Sequence, residues 1–441
     1  MATQFSEAEN PRWGRTFFPI WIGQAISLIG SRLVGFALVW YLTESTGSAI
    51  VLTTISLVGM LPEMILAPFA GALADRWNRK KVMIFADGLI ALVTLGLGAL
   101  FAFDLIEIWH IYVLMFARSI GGAFHYPAMS ASTSLMVPKE KFTKIQGLNQ
   151  LLQGALAIVV APLGALALEY MDIGNVLFID VATAILAIAP LFFVTIPQPD
   201  ITTTQEQRAN PFKTMWEDVV EGMSYVFRWK GLFYVMLLAT GINAILNPAF
   251  SLLPLLVYED FGLGATEFAW IQTVMGVGLI LGSLILSIWG GFKKKVFTST
   301  LGLMTGTVGL LMMSFAPIDQ YWMLLVGIGI FGTTNAITNG PLHAIFQEAI
   351  EPQMQGRVFS LIGTMSMAAS PLGMIVAGPV SEWLGVQTWF LIGTIYIIFM
   401  CTMLLVSPAI RNLEEGNPNK ANVSQSDPNL SNAKPATTTG D

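Results

Sequence analysis

Two arginines, Arg32 and Arg118, lie inside long apolar segments of the chain. An ionised arginine at the centre of a bilayer costs about 3 kcal/mol even on insertion scales, so such a residue normally faces a cavity or an acid. Three acids, Glu63, Asp87 and Asp180, lie inside comparable segments. A carboxylate in a low-dielectric setting binds a proton more readily unless a cation stabilises its charge. These residue types could therefore carry protons, or they could form ion pairs that only hold helices together.

Depth along the segments relates these residues to one another. At a rise of about 1.5 Å per residue, Arg32, Arg118 and Asp180 fall at similar depth in one half of the membrane. Asp180 could pair with either arginine, although a locked ion pair would not titrate usefully. Glu63 lies near the midplane. We predict four candidates for proton coupling: Arg118, Asp180, Glu63 and Arg32.

Two further titratable residues are interpreted differently. Asp87 lies within two helical turns of the basic residues 79–81, and we expect it to pair with them. His125 could join a proton path, but a neutral, packed histidine is the favoured interpretation. Both residues therefore stay outside the predicted coupling set.

The spans of the second half contain almost no embedded charge before Glu382. Its apolar segments contain asparagine and glutamine among many Met, Phe and Trp residues, a mixture that suits a bulky amphipathic ligand. The alternative is hydrogen bonding between helices. We predict five candidates for substrate binding: Asn243, Asn247, Gln272, Asn335 and Asn339.

Composition requires a membrane setting for all of these residues. The chain is 54% hydrophobic and 11% charged, whereas soluble domains carry about 25% charged residues. Most of its exterior must therefore face lipid. The single cysteine excludes an intrachain disulfide and a thiolate metal cluster.

Apolar runs long enough to cross a bilayer occur twelve times. We place them at 17–42, 49–74, 82–103, 109–136, 145–168, 174–195, 232–257, 266–290, 296–316, 321–346, 357–383 and 388–408. The fold class is therefore an all-α membrane protein with 12 transmembrane helices in two six-helix halves.

The predicted spans divide the chain into five parts. We expect a cytoplasmic N-terminal segment at 1–16, a six-helix bundle at 17–195, a cytoplasmic linker at 196–231, a second six-helix bundle at 232–408 and a disordered cytoplasmic tail at 409–441. Helical spacing of apolar residues in the second part of the linker predicts an amphipathic helix.

Charge location predicts which side is the cytoplasm. Of the 22 Lys and Arg residues, all except Arg32 and Arg118 fall in the loops and tails of one side, while the opposite loops carry acids. Basic loops mark the cytoplasmic side. We therefore expect a multi-pass protein of the bacterial inner (plasma) membrane with both termini in the cytoplasm.

The hinge between the second and third spans combines small and charged residues. Ala67, Gly71 and Asp75 are spaced four apart and share one helix face, where small residues let another helix approach. Asp75 could then face the positively polarised N-terminus of a neighbouring helix. We predict a gating motif of Gly71, Asp75, Arg76 and Arg79. The alternative is an ordinary basic turn.

Sequence echoes indicate an internal repeat. Pro127 and Pro138 bracket the end of the fourth span, as Pro341 and Pro352 bracket the end of the tenth. The segment 161–164 (Ala-Pro-Leu-Gly) similarly echoes 370–373 (Ser-Pro-Leu-Gly). These echoes predict two halves in parallel orientation.

Several motifs resemble a known family. Gly71–Lys81 is similar to the Gly-x-Leu-Ala-Asp-Arg-x-x-Arg-Lys signature of the major facilitator superfamily, and 114–123 and 161–165 resemble its further motifs. Within that superfamily, 21–406 resembles the macrolide-efflux branch. The segments behind this are Tyr41-Leu-Thr-Glu44, 118–128, Ile179-Asp180 and 356–363.

The resemblance implies export driven by the proton gradient, with hydrophobic antibiotics as the best-known cargo. It also implies a coupling role for Arg118, and a gating motif that meets the eleventh span and holds the outward-open state. Siderophore exporters and lysophospholipid transporters lie close by and stay as alternatives. A lipid-modifying membrane enzyme and a nutrient importer are the remaining alternatives.

The expected partners are a small-molecule substrate, protons and the lipid bilayer. No nucleotide-cradling Gly-x-x-x-x-Gly-Lys-Ser/Thr segment occurs, so ATP drive by this chain is not expected. We expect no enzyme activity, no cofactor, no metal, no nucleic acid and a monomeric protein.

Overall fold

The computed structural model describes residues 13–74, 77–196 and 211–415, and within these ranges the regular structure is entirely helical. The first six helices are α1 (Trp13–Thr46), α2 (Ala49–Ala74), α3 (Arg79–Ala102), α4 (Ile108–Met136), α5 (Phe142–Tyr170) and α6 (Ile173–Phe193). A further helix, α7 (Pro211–Arg228), follows them.

The second half repeats the pattern. The helix α8 (Lys230–Ser251) is prolonged by the short α9 (Leu253–Leu255) and by a π-helical turn, Leu256–Asp260. The remaining helices are α10 (Ala265–Trp289), α11 (Lys295–Ser314), α12 (Tyr321–Ala349), α13 (Pro352–Leu384), α14 (Val386–Val406) and the short α15 (Pro408–Arg411).

Twelve of these helices are membrane spans. Eleven helices in the described ranges are long and apolar enough to cross a bilayer. The twelfth, α4, has 29 residues but is less apolar because it contains His110, Arg118 and His125. It packs between α2 and α3. The all-α fold of twelve spans predicted from the sequence is confirmed.

Helix packing within the two halves is the same. In the first half α1 packs on α5 and α6, α2 on α4, and α3 on α4 and α6. In the second half α8 packs on α13 and α14, α10 on α12, and α11 on α12 and α14. Each pair in the first half has its counterpart in the second, so the halves are structural repeats.

The echoed segments occupy equivalent positions in this repeat. A Cβ on Gly164 of α5 would come within 2.6 Å of the ring of Phe36 on α1. A Cβ on Gly373 of α13 would overlap the carbonyl oxygen of Ala244 on α8. In both halves the motif glycine therefore allows the fifth span of the half to approach the first.

We name the two ends of the helical bundle the basic end and the acidic end, after the charged residues in their connections. The basic end contains the start of α1 and the α2–α3, α4–α5 and α10–α11 connections, with lysines at 80, 81, 141 and 293–295. The acidic end contains the α1–α2, α3–α4, α5–α6 and α8–α10 connections, with Glu44, Asp104, Glu107, Asp172 and Glu259.

The two halves meet through α2 with α13 and through α5 with α10. At the acidic end the Glu382 carboxylate of α13 accepts hydrogen bonds from Ser48 and from the backbone N–H of Ile50, at the start of α2. A carboxylate is favourable there because a helix N-terminus is positively polarised. Phe36 also stacks on Phe268 of α10, with ring centroids 5.5 Å apart. These contacts join the two halves near the acidic end.

The basic-end parts of α5 and α13 border open space. A Cβ on Gly147, Gly154 or Gly363 would meet no described atom within 4 Å. Closer to the acidic end, Thr273 of α10 donates to the carbonyl oxygen of Ile158 on α5 at 3.3 Å. This contact between α5 and α10 therefore lies on the acidic side of Gly147 and Gly154.

Candidate functional site

A buried ion pair joins α4 and α6. Nη1 of Arg118 lies 2.6 Å from Oδ2 of Asp180, and the side chains are 13% and 1% exposed. Ser31 of α1 donates to Oδ1 of Asp180 at 2.9 Å, and Arg118 donates to the carbonyl oxygen of Ser31 at 3.1 Å and to Thr94 at 3.3 Å. Both carboxylate oxygens are therefore engaged, as a buried charge requires. We call Ser31, Thr94, Arg118 and Asp180 the arginine cluster.

A glycine makes this cluster possible. Gly30 precedes Ser31 on α1, and a Cβ there would lie 3.1 Å from the Cα atom of Asp180. The absence of a side chain lets α6 approach α1 closely enough for the Ser31 hydroxyl to reach Asp180. The cluster thus depends on backbone approach as well as on charge.

The pairing that the sequence suggested is only partly present. Asp180 pairs with Arg118, one of the two arginines that the sequence left open as its partner. Arg32 is exposed and donates to Oε1 of Gln153 on α5 at 2.7 Å. Because Arg32 is a charged residue well inside a spanning helix, its exposure places it on a wet surface, as charges at that depth normally are.

A second polar cluster lies nearer the basic end and was not foreseen. Oδ1 of Asp87 on α3 lies 3.3 Å from Nε2 of His125 on α4, and Oδ2 accepts a hydrogen bond of 2.9 Å from Gln24 on α1. The Asp87 and His125 side chains are 8% and 20% exposed. We call Gln24, Asp87 and His125 the histidine cluster.

The expectation that Asp87 pairs with the basic hinge is wrong. Arg79 donates instead to the carbonyl oxygen of Ala131 on α4 at 2.8 Å. Lys80 donates to the carbonyl oxygens of Phe192 and Val194, at the end of α6. Backbone carbonyls at the ends of α4 and α6 thus bind these two cations, and the side chain of Asp87 turns to α1 and α4.

The predicted gating motif is only partly within the described residues. Asp75 and Arg76 lie outside them. Gly71 belongs to the last turn of α2, and Arg79 is the first residue of α3, where it is buried. Asn78 caps α3 by accepting a hydrogen bond from the backbone N–H of Lys81 at 3.1 Å. The gating role of the motif therefore stays a prediction.

Glu63 lies on the face of α2 that meets α4. It is half-buried, and its backbone N–H donates to the hydroxyl of Ser119 at 2.9 Å. Its Oε2 atom would lie 3.9 Å from a Cβ on Gly122. The carboxylate is therefore close to α4 but belongs to neither cluster.

The second half contains a cavity of about 240 Å³. Asn243 and Asn247 of α8 and Asn335 and Asn339 of α12 line it, together with Phe250, Phe331, Met275 and Met400. Each asparagine pair is spaced four residues apart and is linked along its helix by a side-chain hydrogen bond, of 3.4 Å on α8 and 3.2 Å on α12. Gln272, the fifth candidate, is exposed on α10 and is not among the lining residues.

Comparison with known proteins identifies the family. The model of the Major Facilitator Superfamily matches residues 20–264 and 243–432. Macrolide efflux protein A of Streptococcus pyogenes is 33% identical over 402 residues, which cover 91% of this chain and 98% of that protein. The chain belongs to the major facilitator superfamily.

Two further comparisons agree with this membership. Macrolide efflux protein A of Enterococcus faecalis is 32% identical over 328 residues, covering 74% of this chain and all of that protein. The crystal structure of the nucleoside transporter NupG shares the fold, with a TM-score of 0.64 at 14% identity over 88% of this chain and 98% of that one. This superfamily member is thus a multi-pass membrane transporter for small molecules.

The ionisable clusters and the asparagine-lined cavity lie in different halves of the superfamily fold. The arginine and histidine clusters lie wholly in the first half, between α1, α3, α4 and α6. The asparagine-lined cavity lies wholly in the second half. Among the described residues, no group of three or more His, Cys, Asp and Glu side chains is placed to hold a metal ion.

Proposed function

We propose that this transporter is a proton-driven exporter of bulky amphipathic compounds, with macrolide antibiotics as the leading substrate class. The observation that carries this proposal is the 33% identity to a macrolide efflux protein over 91% of the chain. The ionisable residues inside the spans of the first half supply chemistry suited to coupling, with Arg118, Asp180, Glu63 and Arg32 as candidates. The proposal includes no enzymatic role and no cofactor.

The asparagine-lined cavity is the proposed contact surface for cargo. Amide groups next to Phe and Met side chains can bind a ligand that is both hydroxylated and apolar. A volume of about 240 Å³ is smaller than the 300–1,000 Å³ of typical drug-sized sites. Cargo would therefore insert one part into the cavity, between Asn247 and Asn339, while the rest occupies the space between the halves.

Transport would proceed by rocking of the two halves around this site. Closure at the acidic end, through Glu382 and the Phe36–Phe268 stack, corresponds to a state that loads cargo from the basic end. We place the basic end in the cytoplasm of a bacterial cell, since lysine-rich loops stay on that side. Both termini are then cytoplasmic, and one monomer embedded in lipid suffices.

The gating motif completes the proposed cycle. Gly71, Asp75, Arg76 and Arg79 would lock α2 to the start of α13 when the basic end closes, holding the outward-open state. The Arg357 guanidinium of α13 lies 2.8 Å from Glu221 of α7 and is part of this end of the molecule. The linker helix α7 would thereby move with the second half.

Resistance profiling tests the function directly. The gene is expressed in an efflux-deficient bacterium, and the minimal inhibitory concentrations of macrolides are measured beside the efflux rate with and without a protonophore. A rise in macrolide resistance that the protonophore abolishes supports the proposal. Unchanged macrolide resistance, together with loss of siderophore or lysophospholipid movement on deletion of the gene, selects the alternative exporter or transporter of the same fold.

A further inference from the structure

The two polar clusters of the first half are stacked along the same helix faces. Each of three helices contributes one residue to each cluster, always seven residues apart. The pairs are Gln24 and Ser31 on α1, Asp87 and Thr94 on α3, and His125 and Arg118 on α4. Seven residues correspond to two helical turns, or about 10 Å along the helix axis. The histidine cluster therefore lies directly below the arginine cluster, towards the basic end.

The arginine cluster is poorly suited to exchange a proton. Arginine does not lose its proton in proteins. The Asp180 carboxylate is 1% exposed and has a donor on each oxygen, Arg118 on one and Ser31 on the other. Protonation of Asp180 would leave the arginine charge buried without its partner, which is strongly unfavourable. Arg118 and Asp180 therefore both stay charged.

The histidine cluster has the opposite properties. Histidine is the side chain whose charge ordinarily changes between about pH 5 and 8. The Nε2 atom of His125 is within 3.3 Å of Asp87, yet the geometry is not that of an aligned hydrogen bond, and the atom is buried without a hydrogen-bond partner. On its other side, Asp87 accepts from the neutral amide of Gln24. A proton added here would turn this contact into an ion pair between His125 and Asp87 without breaking an existing one.

Other charged groups on the surrounding helices are already engaged or lie apart. Arg118 of α4 binds Asp180 of α6, Arg32 of α1 binds Gln153, and Lys80 of α3 binds carbonyl oxygens of α6. Arg79 of α3 binds Ala131, and Lys81 of α3 is exposed. Glu63 of α2 faces α4 at Gly122, one turn above His125. Among the described residues, Glu63 is the one carboxylate that α2 presents to α4.

We propose that Asp87 and His125 together hold the proton that this exporter exchanges for cargo, a role that rests on the proposed proton coupling. A proton from water on the acidic side binds to Nε2 of His125, and the pair then carries no net charge. Release of that proton to water on the basic side returns the pair to one negative charge. One proton thus crosses the membrane while its carrier is restored. The arginine cluster above it is a fixed ion pair that positions α4.

The experiment separates coupling from transport. The full-length protein is reconstituted into liposomes, and two signals are recorded with erythromycin as probe. One is erythromycin-dependent proton movement in excess of that in protein-free liposomes, read with a trapped pH-sensitive dye. The other is exchange of labelled for unlabelled erythromycin without a proton gradient, which needs binding and rocking of the halves but no net proton transfer. His125→Gln and Asp87→Asn should abolish the first signal and retain the second.

The pH dependence of gradient-driven uptake is a second, independent test. Gradient-driven uptake by the native protein should depend on pH, and His125→Gln should remove that dependence. His110→Gln is the matched control, because His110 lies on the same helix but at the acidic end, where its Nδ1 atom accepts a hydrogen bond from the backbone N–H of Glu107. The control should keep both signals and the pH profile. Retained exchange in the two cluster variants also shows that they are folded.

The outcomes distinguish this inference from the proposed function. Proton movement and pH dependence that persist in both His125→Gln and Asp87→Asn would overturn the inference while leaving proton-driven export intact. Exchange by the native protein without any erythromycin-dependent proton movement would overturn the proposed coupling and the inference with it.

Discussion

Replacement of Asp180 by asparagine should destabilise this protein more than any change at an exposed charge. The carboxylate is 1% exposed and lies 2.6 Å from Arg118, so Asp180→Asn leaves a guanidinium buried among α1, α3, α4 and α6 without a counter-charge. Breaking a buried ion pair by removing one partner costs about 3–5 kcal/mol. The Ser31 hydroxyl retains an acceptor in asparagine, so the loss is one of charge pairing rather than of shape.

The assay is thermal unfolding of the detergent-solubilised protein, followed with a thiol-reactive dye that reports exposure of the buried Cys401. Arg32→Gln is the control, because Arg32 is exposed, so water screens the hydrogen bond that it donates to Gln153 and its loss should cost less than that of the buried pair. The double variant Arg118→Gln/Asp180→Asn removes the stranded charge and should recover part of the lost stability. A single variant Asp180→Asn as stable as Arg32→Gln would refute the reasoning.

Three other predictions follow from the remaining contacts. Gly373→Val should reduce the yield of folded protein measured by size-exclusion chromatography, because its side chain would overlap the carbonyl oxygen of Ala244, whereas a normal yield would contradict that packing. Asn247→Leu and Asn339→Leu should each raise the KM for erythromycin roughly 2- to 10-fold through loss of one hydrogen bond. An unchanged KM in both variants would show that erythromycin does not bind in this cavity. Asp75→Asn should lower transport while leaving membrane insertion intact, and unchanged transport would refute the gating role of the motif.

The spans and the repeat were predictable from the sequence because both are properties of position along the chain. Apolar length marks a helix that crosses the bilayer, and the echo between Gly164 and Gly373 reflects the same helix approach in each half. Helix ends were less predictable. The helix α1 begins at Trp13 and ends at Thr46, beyond the apolar run at both ends, since polar residues can continue a helix into the headgroup region.

The site was only partly predictable, because depth along a helix can be counted from the sequence but the direction of a side chain around the helix axis depends on the neighbours. Counting along the helices placed Asp180 at the same depth as Arg32 and Arg118. The helix packing in the structure shows that Arg118 is its partner. Asp87 and His125 lie 38 positions apart on adjacent helices, and the sequence favoured the nearby basic hinge instead. The seven-residue spacing from Thr94 and Arg118 was the available signal, but it acquires meaning only when α3 and α4 are known to face each other.

The cavity illustrates the same limit. Four of the five predicted polar residues line it because i and i+4 positions share a helix face. Gln272 belongs to another surface of α10, where it is exposed. Residue type alone could not distinguish this glutamine from the asparagines of α8 and α12.

The central claim is proton-driven export of an amphipathic compound, and one measurement tests it most directly. Membrane vesicles with the basic end outside are loaded at acidic pH and diluted into alkaline buffer with labelled erythromycin. The account predicts that erythromycin accumulates inside beyond the level in vesicles without the protein, that the internal pH rises correspondingly more, and that nigericin, which collapses the pH gradient, abolishes this difference. Accumulation that is insensitive to nigericin, or its absence in vesicles shown to contain folded protein, would contradict the account.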